Sequence, residues 1–384
     1  MKRRQFLKVA GVTAGVTAAG LTISLDRAQS SSPAVAAEVK RIPTLCEMCT
    51  SRCGVVAVVK DGRVMSIEGN PDHPTNLGFP CARGNAGVSS LYDPDRVKQP
   101  MKRVADGKFE PISWEQAFKE IGARLMEIST KFGPHSMVFL EYNNLNSNLN
   151  RRFAQAFGSP NHTGHAATCF ANRNVGYTQV FGALPTVDYG NVKYYLSAGR
   201  NILGGIKAYE PIKLAEAKRK GAKIVVLDPR LSELAAFGHE WIKIRSAGDL
   251  AFLLAVSNVL ITENLYNKRF VAEKCTGFEE LKAGIAKYTP EWAEKETDVP
   301  ADTIRRIARE MAAAAPAAVV DPGWHGGNGM YWNGAEAARA GAVVNALLGN
   351  LGAKGGLKLS PGVAQGPIDT PPPGTEVAAA SGGG

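Results

Sequence analysis

The stretch Cys46-Glu-Met-Cys49-Thr-Ser-Arg-Cys53 places three cysteines within eight residues, and a fourth, Cys81, follows after 27 intervening residues. Three thiolates in one tight loop, with a distant fourth, can ligate a [4Fe–4S] cluster. The spacing therefore predicts an iron–sulfur centre held by Cys46, Cys49, Cys53 and Cys81.

Zinc and disulfide bonds are the competing interpretations of these cysteines. Structural zinc sites usually arrange their ligands as two paired knuckles, whereas here three ligands share one loop and the last is single. Disulfides stabilise small exported domains, but a chain of 384 residues can bury a core without them. The spacing favours the cluster over both alternatives.

The segment between the third and fourth cysteines predicts a β-hairpin. Two apolar runs, residues 55–59 and 64–67, flank the sequence Lys60-Asp-Gly-Arg63. An Asp-Gly pair between two such runs is a strong hairpin signal. The hairpin would return the chain so that the last cysteine meets the first three. We assign residues 40–100 to a small iron–sulfur domain.

The first 36 residues are typical of an export signal. Arg3-Arg4 precedes Phe6-Leu-Lys8, a glycine-interrupted apolar run over residues 9–25, and the small-residue cleavage pattern Pro33-Ala-Val-Ala36. Paired arginines of this kind indicate the twin-arginine route. The competing interpretation is a retained membrane anchor, for which the run is short. We expect a soluble mature protein in the periplasm or at the outer face of the cytoplasmic membrane.

Length and charge limit the remaining possibilities. The chain has room for two or three domains, and its 45% hydrophobic content is enough for true cores. The formal net charge of +10 suits an acidic partner or a bound polyanionic cofactor. We expect no nucleic-acid partner, because no dense Lys/Arg stripe with interleaved aromatics is present.

Residues 101–360 alternate between predicted helices and strands, which indicates an α/β fold. Ser113-Trp-Glu-Gln116 is a capping-box pattern that starts a helix ending before Gly133-Pro134. A short β-run at residues 136–140 follows. One face of the helix carries the apolar side chains of Phe118, Ile121, Leu125 and Ile128.

A second unit is a clearer βαβ pattern. It comprises a strand at residues 192–196, a helix at 210–220 and a buried strand at 223–227. In such sheets ligands bind beyond the carboxyl ends of the strands, where Asn201 and Asp228 fall. A nucleotide site is one interpretation, and an ordinary βαβ unit is the other, because no GxGxxG is present.

The cysteine motif, continued by Cys81-Ala-Arg83-Gly84, resembles the N-terminal iron–sulfur domain of the bis-molybdopterin-guanine-dinucleotide oxidoreductases. Residues 45–53 and Leu91-Tyr-Asp-Pro-Asp-Arg96 resemble the polysulfide and thiosulfate reductase branch. The resemblance implies an iron–sulfur domain followed by doubly wound α/β nucleotide-binding-like domains. It also implies two cofactors, a [4Fe–4S] cluster and Mo-bis(molybdopterin guanine dinucleotide), and assigns residues 101–360 to molybdopterin binding.

The resemblance further implies roles for individual residues. Arg83 occupies the position of a basic residue that bridges cluster and pterin; otherwise it is a solvated surface arginine. The positions that match guanine-dinucleotide-binding stretches are Gly199, Asn201, Asp228, Pro229, Arg230, Arg245 and Asp249. The last stretch departs from the family, which often has Pro-Gly-Thr-Asp where this chain has Ser246-Ala-Gly-Asp249.

Cys169 is the candidate molybdenum ligand. It lies where a loop is predicted to become a helix, and a helix N-terminus lowers a thiol's pKa. The resembling branch places its metal-ligating cysteine in this region; the alternative is a small buried cysteine. His165 either lines the substrate approach or is structural. We interpret Cys275 as structural. A glycine-rich turn at residues 323–329 either approaches a phosphate or is an ordinary turn.

Residues 361–384 are rich in proline, glycine and alanine, which predicts a disordered or truncated tail. Relatives in the resembling family are about twice as long, which leaves three interpretations: a fragment, an enzyme completed by a second polypeptide supplying the C-terminal half, or a degenerate form. The other expected partners are a ferredoxin-like electron-transfer subunit, a membrane quinone-reactive anchor subunit and a small-molecule substrate. The predicted function is two-electron chemistry on a small sulfur compound or oxyanion. The alternatives are a non-catalytic electron-transfer or scaffold subunit without molybdenum and a zinc-bound interaction protein.

Overall fold

The structure, a computed structural model, describes residues 38–142, 147–205, 207–323 and 330–359. The predicted export signal, residues 324–329 of the glycine-rich turn and the predicted tail therefore lie outside the described residues.

The strands of the described chain, in order, are β1 (Val39–Leu45), β2 (Gly54–Lys60), β3 (Arg63–Gly69), β4 (Met101–Ala105), β5 (Lys108–Pro111), β6 (Phe139–Glu141), β7 (His162–Gly164), β8 (Thr186–Val187), β9 (Tyr194–Ala198), β10 (Lys223–Leu227), β11 (Glu240–Ile242), β12 (Ala318–Pro322) and β13 (Leu357–Lys358).

The α-helices are α1 (Ala82–Asn85), α2 (Gly87–Leu91), α3 (Trp114–Phe132), α4 (Ser147–Phe157), α5 (Ala171–Phe181), α6 (Tyr209–Arg219), α7 (Glu233–Phe237), α8 (Asp249–Thr262), α9 (Lys268–Lys274), α10 (Phe278–Ile285), α11 (Pro290–Thr297), α12 (Ala301–Ala314) and α13 (Gly334–Leu347). Two 3-10 turns, Pro134–Ser136 and His165–Thr168, complete the set.

The N-terminal sheet has the order β1-β2-β3 and is antiparallel throughout. The predicted hairpin is present as β2 and β3. Its turn residues Asp61 and Gly62 both have positive φ, 51° and 73°, which is the backbone that an Asp-Gly type I′ turn requires. The third strand, β1, was not predicted. All of its residues are exposed, so its sequence carries no alternation between a buried and an exposed face.

The central sheet contains four parallel strands in the order β11-β10-β9-β12. Along β10, Val225 and Leu227 face a core shared with α8 and α12, whereas Ile224 and Val226 face a second core shared with α5 and α6. Helices thus cover both faces, which is the doubly wound α/β architecture that was predicted.

Several predicted boundaries shift by one to three residues. The predicted strand 192–196 is β9 (Tyr194–Ala198), whereas the strand predicted at 223–227 coincides with β10. The β-run predicted at 136–140 begins only at Phe139, because Pro134 opens a 3-10 turn after Gly133. The proline ring fixes φ and favours the turn over an extended start.

Helix α3 begins as predicted, with the Ser113 hydroxyl accepting from the Gln116 N–H at 3.1 Å. The four apolar side chains predicted on one face form a stripe of which Phe118 and Ile121 are exposed and Leu125 and Ile128 half-buried. Ala117 is the only buried residue of the helix. The neighbour against which α3 mainly packs is the short turn Pro134–Ser136.

No helix of the described residues is long and apolar enough to span a bilayer.

Candidate cofactor site

The first three cysteines lie in the loop that joins β1 to β2. The backbone N–H of Cys46 donates to the carbonyl of Cys53 at 2.9 Å, so the loop closes on itself. The fully buried side chain of Asn76 holds its far end: Oδ1 accepts from the Gly54 N–H at 2.8 Å, and Nδ2 donates to the Gly54 carbonyl at 3.0 Å. Cys81 caps the N-terminus of α1.

The four sulfurs are close enough to influence one another. Burial raises the pKa of the Cys53 thiol, and the other three cysteines raise it further. Burial also acts upward on Cys81, but backbone N–H groups and the charge of Arg83 outweigh it, so the pKa of Cys81 is lowered. None of the six cysteines, all of them described residues, forms a disulfide bond.

Four cysteines thus come from two places, three from the loop between β1 and β2 and one from the N-terminus of α1. Four thiolates of this kind are a ligand set that a [4Fe–4S] cluster takes.

Arg83 connects the cysteine loop to the central sheet. Its Nη2 donates to the carbonyl oxygen of Gly205 at 2.7 Å. Gly205 lies in the loop between β9 and α6, at the carboxyl edge of the sheet. Arg83 is exposed, and this hydrogen bond is the tertiary contact of its guanidinium group that the structure shows. It spans the space between Cys81 and the candidate nucleotide loop.

Gly199 and Asn201 follow β9 in this same loop. Gly199 has a φ of 70° and its carbonyl oxygen lies only 2.3 Å from where a Cβ on Gly323 would be. The turns after β9 and β12 thus approach at backbone distance. The Asn201 carboxamide caps α7 by accepting from the Leu234 N–H at 3.1 Å, and its Nδ2 donates to Glu233 at 2.5 Å.

Asp228 and Asp249 are two buried carboxylates near the carboxyl end of β10. One Asp228 oxygen accepts from the Arg230 N–H at 3.0 Å. Asp249 begins α8, and its Oδ1 is buried without a hydrogen-bond partner. Burial raises the pKa of Asp249 to about 6, and the charge of Asp228 adds to the effect. An orphaned buried acceptor of this kind fits a ligand that presents N–H donors, as a guanine base does.

The other predicted nucleotide residues are exposed. Pro229 and Arg230 lie on the surface beyond β10, where Arg230 is 3.9 Å from Glu233. Arg245 forms a two-pronged ion pair with Asp298, at 2.6 and 3.1 Å. The guanidinium of Arg245 therefore holds the C-terminal end of α11, which Asp298 follows, and only its exposed side remains for a ligand.

Cys169 lies at the end of the turn His165–Thr168, two residues before α5 begins. The expectation of a lowered pKa is wrong, because burial raises the pKa of the Cys169 thiol. The residue lies ahead of the first helical turn, where the helix dipole has little effect. Coordination to a metal ion would deprotonate it outright. The ring of His165 stacks on that of Tyr142, with 5.1 Å between centroids.

Sequence reasoning missed a buried ion network that joins these segments. Asp321, at the end of β12, accepts from Arg173 of α5 at 2.8 Å, from Tyr195 at 2.7 Å and from Arg200. Arg200 also pairs with Glu210 at 2.5 Å. Burial acts upward on Asp321, but the two guanidinium charges outweigh it and hold its pKa well below the usual range. The sequence signal for this network was Asp321, a charged residue near the end of the otherwise apolar strand β12.

A cavity of about 400 Å³ lies beside this network. Its walls include Arg200 and Lys207 from the loop after β9, and Thr75 and Leu77 from the cysteine domain. The cavity thus lies where the two parts of the chain meet. Burial lowers the pKa of Lys207, which lies 3.5 Å from Glu210.

Two family descriptions match the chain: the molybdopterin oxidoreductase Fe4S4 domain over residues 39–93, and molybdopterin oxidoreductase over residues 96–364. The chain belongs to the molybdopterin oxidoreductase family. The predicted family and fold class are confirmed, as are an Fe4S4 cluster and a molybdopterin as the cofactors of its domains. The bis(guanine dinucleotide) form and the individual site residues stay predictions.

Curated relatives extend this likeness. The chain is 39% identical to the thiosulfate reductase molybdopterin-containing subunit PhsA of Salmonella typhimurium over 93% of its own length and 47% of that protein. It is 30% identical to the arsenate respiratory reductase subunit ArrA of a Shewanella species, over 92% of the chain and 46% of that protein. The first match supports the polysulfide and thiosulfate branch.

A solved structure agrees. Acetylene hydratase from Pelobacter acetylenicus superimposes with a TM-score of 0.74 and 30% identity, over 83% of this chain and 44% of that chain. The chain therefore spans less than half the length of these relatives.

Proposed function

We propose that the chain is the N-terminal half of a molybdopterin oxidoreductase catalytic subunit that performs two-electron chemistry on a small sulfur compound or oxyanion. The arrangement that carries the proposal is Arg83, which reaches from the cysteine loop to Gly205 beside the candidate nucleotide loop. The similarity to a thiosulfate reductase favours a sulfur compound as substrate. When bound, the molybdenum–pterin group supplies the two-electron chemistry and the cluster supplies one-electron steps.

The protein binds the cluster and the molybdenum–pterin group and positions them relative to each other. Cys46, Cys49, Cys53 and Cys81 bind the cluster at one edge of the molecule. Arg83 lies between the cluster and the loop after β9, where its fixed positive charge stabilises electron density arriving from either side. The cluster, when bound, would supply one-electron transfer to a partner that approaches the exposed side of the cysteine loop.

The nucleotide end of the cofactor is held at the carboxyl edge of the sheet. The carboxylate of Asp249 accepts from the N–H donors of guanine, and Asp228 lies beside it. Gly199 and Gly323 allow the backbone to approach a phosphate closely. Cys169 would supply a protein thiolate to the metal when the cofactor is bound. His165, four residues earlier, lines the approach of the substrate.

Partners and location complete the proposal. Two relatives are named as molybdopterin-containing subunits, so an assembly with other subunits is expected here. We propose a ferredoxin-like subunit as the electron partner and a membrane quinone-reactive subunit as the anchor. The twin-arginine signal at Arg3-Arg4 would deliver the complex to the periplasmic side.

The test is analysis of the native complex for iron, molybdenum and pterin, followed by turnover with reduced viologen. Thiosulfate, polysulfide and arsenate are supplied as separate oxidants. Molybdenum and two pterins per complex, with reduction of a sulfur compound, are the expected result. Iron without molybdenum in the native complex would instead establish the non-catalytic electron-transfer subunit.

Arg83→Gln separates electron transfer from assembly. The uncharged side chain keeps a hydrogen-bond donor towards Gly205, but removes the charge between the cluster and the pterin. Turnover should fall at least about tenfold, while the iron and molybdenum contents stay unchanged. Arg96→Gln, a change of another exposed arginine of the same domain, is the matched control. Equal rates for both variants would exclude the proposed role of Arg83.

A further inference from the structure

The cavity between the cysteine domain and the α/β body has a cationic side. Its lining includes four cations and one anion: Arg173, Arg200, Lys207, Lys213 and Glu210. Three of these, Arg173, Arg200 and Glu210, are only 5%, 6% and 4% exposed, so the charged side belongs to the folded interior. Lys213 adds no net charge, because it pairs with Glu216 at 3.2 Å. The charge balance is therefore decided by the buried groups.

The buried cations outnumber the carboxylates with which they pair among the described residues. Asp321 pairs with Arg173 at 2.8 Å and also with Arg200. Glu210 pairs with Arg200 at 2.5 Å and lies 3.5 Å from Lys207. Three cations thus share two carboxylates, which leaves one surplus positive charge. Burying a surplus charge is costly, and burial accordingly lowers the pKa of Lys207.

The backbone holds Lys207 at this cavity in a conformation that lysine seldom adopts. Its φ of 68° lies in the left-handed region, which is uncommon for residues other than glycine. The Lys207 carbonyl accepts from the Glu210 N–H at 3.0 Å, so the turn into α6 fixes this conformation. Conformations of this kind cluster at ligand sites, where the surrounding structure maintains them.

The opposite side of the cavity is apolar. It is formed by Pro74 and Leu77 of the loop after β3, and by Leu184, Pro185 and Val187, which follow α5. We call these five residues the apolar wall. A volume of about 400 Å³ lies within the range of small-molecule sites, which combine apolar walls with a few polar groups. An inorganic ion would leave the apolar wall unused, whereas an organic anion contacts both sides.

The cavity is separate from the candidate cofactor site. Among the described residues, its lining contains neither Arg83 nor Cys169, and none of the predicted nucleotide-binding residues. Arg200 and Asn201 are neighbours in sequence, but their side chains contact different elements. Arg200 pairs with Glu210 at the start of α6, whereas the Asn201 carboxamide caps α7. The two sites thus use different sides of the loop after β9.

We propose that this cavity binds a small organic monoanion of the carboxylate class, with its carboxylate between Lys207 and Arg200 and its apolar part against the apolar wall. A carboxylate carries one negative charge, which equals the surplus, whereas a phosphate monoester carries about −1.5 to −2 at neutral pH. Lys and Arg also form strong charge-assisted hydrogen bonds with carboxylates. The bound molecule would contact the cysteine domain through Leu77 and the α/β body through Lys207.

The experiment measures the binding of benzoate to the full chain by isothermal titration calorimetry at constant ionic strength. Acetate keeps the carboxylate but lacks the ring, and benzyl alcohol keeps the ring but lacks the charge. We expect benzoate to bind at least about tenfold more tightly than either, because each of the others loses one of the two contacts. No binding of benzoate, or an affinity equal to that of acetate or benzyl alcohol, would overturn the proposal.

A matched pair of substitutions locates the carboxylate. Lys207→Met removes the charge and retains an unbranched side chain, so it should weaken benzoate binding at least about tenfold. Lys295→Met is the control, because Lys295 is exposed on α11 and does not line the cavity. It should bind benzoate as the unchanged chain does. Equal affinities of the two variants would place the ligand elsewhere.

A second measurement needs no substitution. Acetic anhydride acetylates uncharged amines, and peptide mass spectrometry follows the reaction at each lysine. A carboxylate beside Lys207 raises the pKa of its ammonium, and one unit lowers the uncharged fraction about tenfold. Saturating benzoate should therefore slow acetylation of Lys207 about tenfold and leave Lys295 unchanged. Equal rates at Lys207 with and without benzoate would contradict the proposal.

GDP distinguishes the cavity from the candidate nucleotide site. It should not displace benzoate, because no predicted nucleotide-binding residue among the described residues lines the cavity. Displacement would assign the cavity to the cofactor and overturn the proposal. Binding and acetylation are measured without turnover or molybdenum, so failure of this proposal is distinguishable from failure of the proposed function.

Discussion

Arg173, one helical turn beyond Cys169, donates from Nη2 to Oδ1 of Asp321 at 2.8 Å. Its Nη1 donates to the carbonyl of Pro322 at 2.6 Å. The helix that follows the candidate molybdenum ligand is therefore fixed to the carboxyl end of β12. Because Asp321 also binds Arg200, one carboxylate joins the Cys169 segment to the candidate nucleotide loop.

Asp321→Asn should destabilise the chain strongly. The carboxylate is fully buried and pairs with two guanidinium groups; its removal takes this partner from Arg173 and leaves Arg200 with Glu210 as its carboxylate partner. Breaking a buried pair in this way costs about 3–5 kcal/mol. Urea unfolding followed by circular dichroism measures the loss. Asp302→Asn, at a fully exposed carboxylate, is the control and should change stability by less than about 0.5 kcal/mol.

Asp249→Asn should stabilise the chain at neutral pH. With the pKa of Asp249 raised from 3.8 to about 6, the folded state holds a proton that the unfolded state has lost between these values. Stability therefore falls as pH rises from about 4 to about 6, and the cost stays in full above that range. The pKa difference corresponds to about 3 kcal/mol, which the uncharged side chain avoids.

The measurement compares unfolding of the two proteins at pH 7.5 and pH 5.0. The advantage of the Asn variant should be larger at pH 7.5, where more of the native carboxyl is ionised. An equal difference at both pH values would show that charge burial is not the cause. The same variant should bind GDP more weakly, since an amide presents a donor where the guanine N–H groups need an acceptor.

The parts of the fold that the sequence predicts are those set by neighbouring residues. The four cysteines and the Asp61-Gly62 turn are local patterns, and β10 is a continuous apolar run buried on both faces. The Asp321 network was not predictable in this way. It joins side chains more than a hundred positions apart, and their pairing depends on the strand order of the finished sheet.

In the apolar stripe of α3, by contrast, the sequence predicts the element but not its surroundings. Its periodicity correctly predicts a helix from Trp114 onwards, but periodicity states only that one face is to be buried, not by which polypeptide. Cys169 illustrates a limit of a third kind. Its place before α5 was predicted, yet burial raises the pKa of its thiol. The helix itself begins two residues later, at Ala171, so its dipole does not offset the desolvation.

Serine substitution should separate the cluster cysteines from Cys275. The anaerobically purified chain should be brown and contain about four iron atoms. Cys49→Ser should lose most of the iron, because it removes one of four thiolate ligands. Cys275→Ser should retain the iron, since Cys275 follows α9 in the α/β body. Stoichiometric zinc in place of iron, or equal iron in both variants, would contradict the cluster assignment.

Cys169→Ala should abolish turnover of the completed enzyme and leave the iron–sulfur spectrum intact. The thiolate changes the charge and geometry of the metal site, whereas Cys46, Cys49, Cys53 and Cys81 lie in a separate domain and do not depend on it. Full activity of Cys169→Ala would assign the metal ligand to another residue.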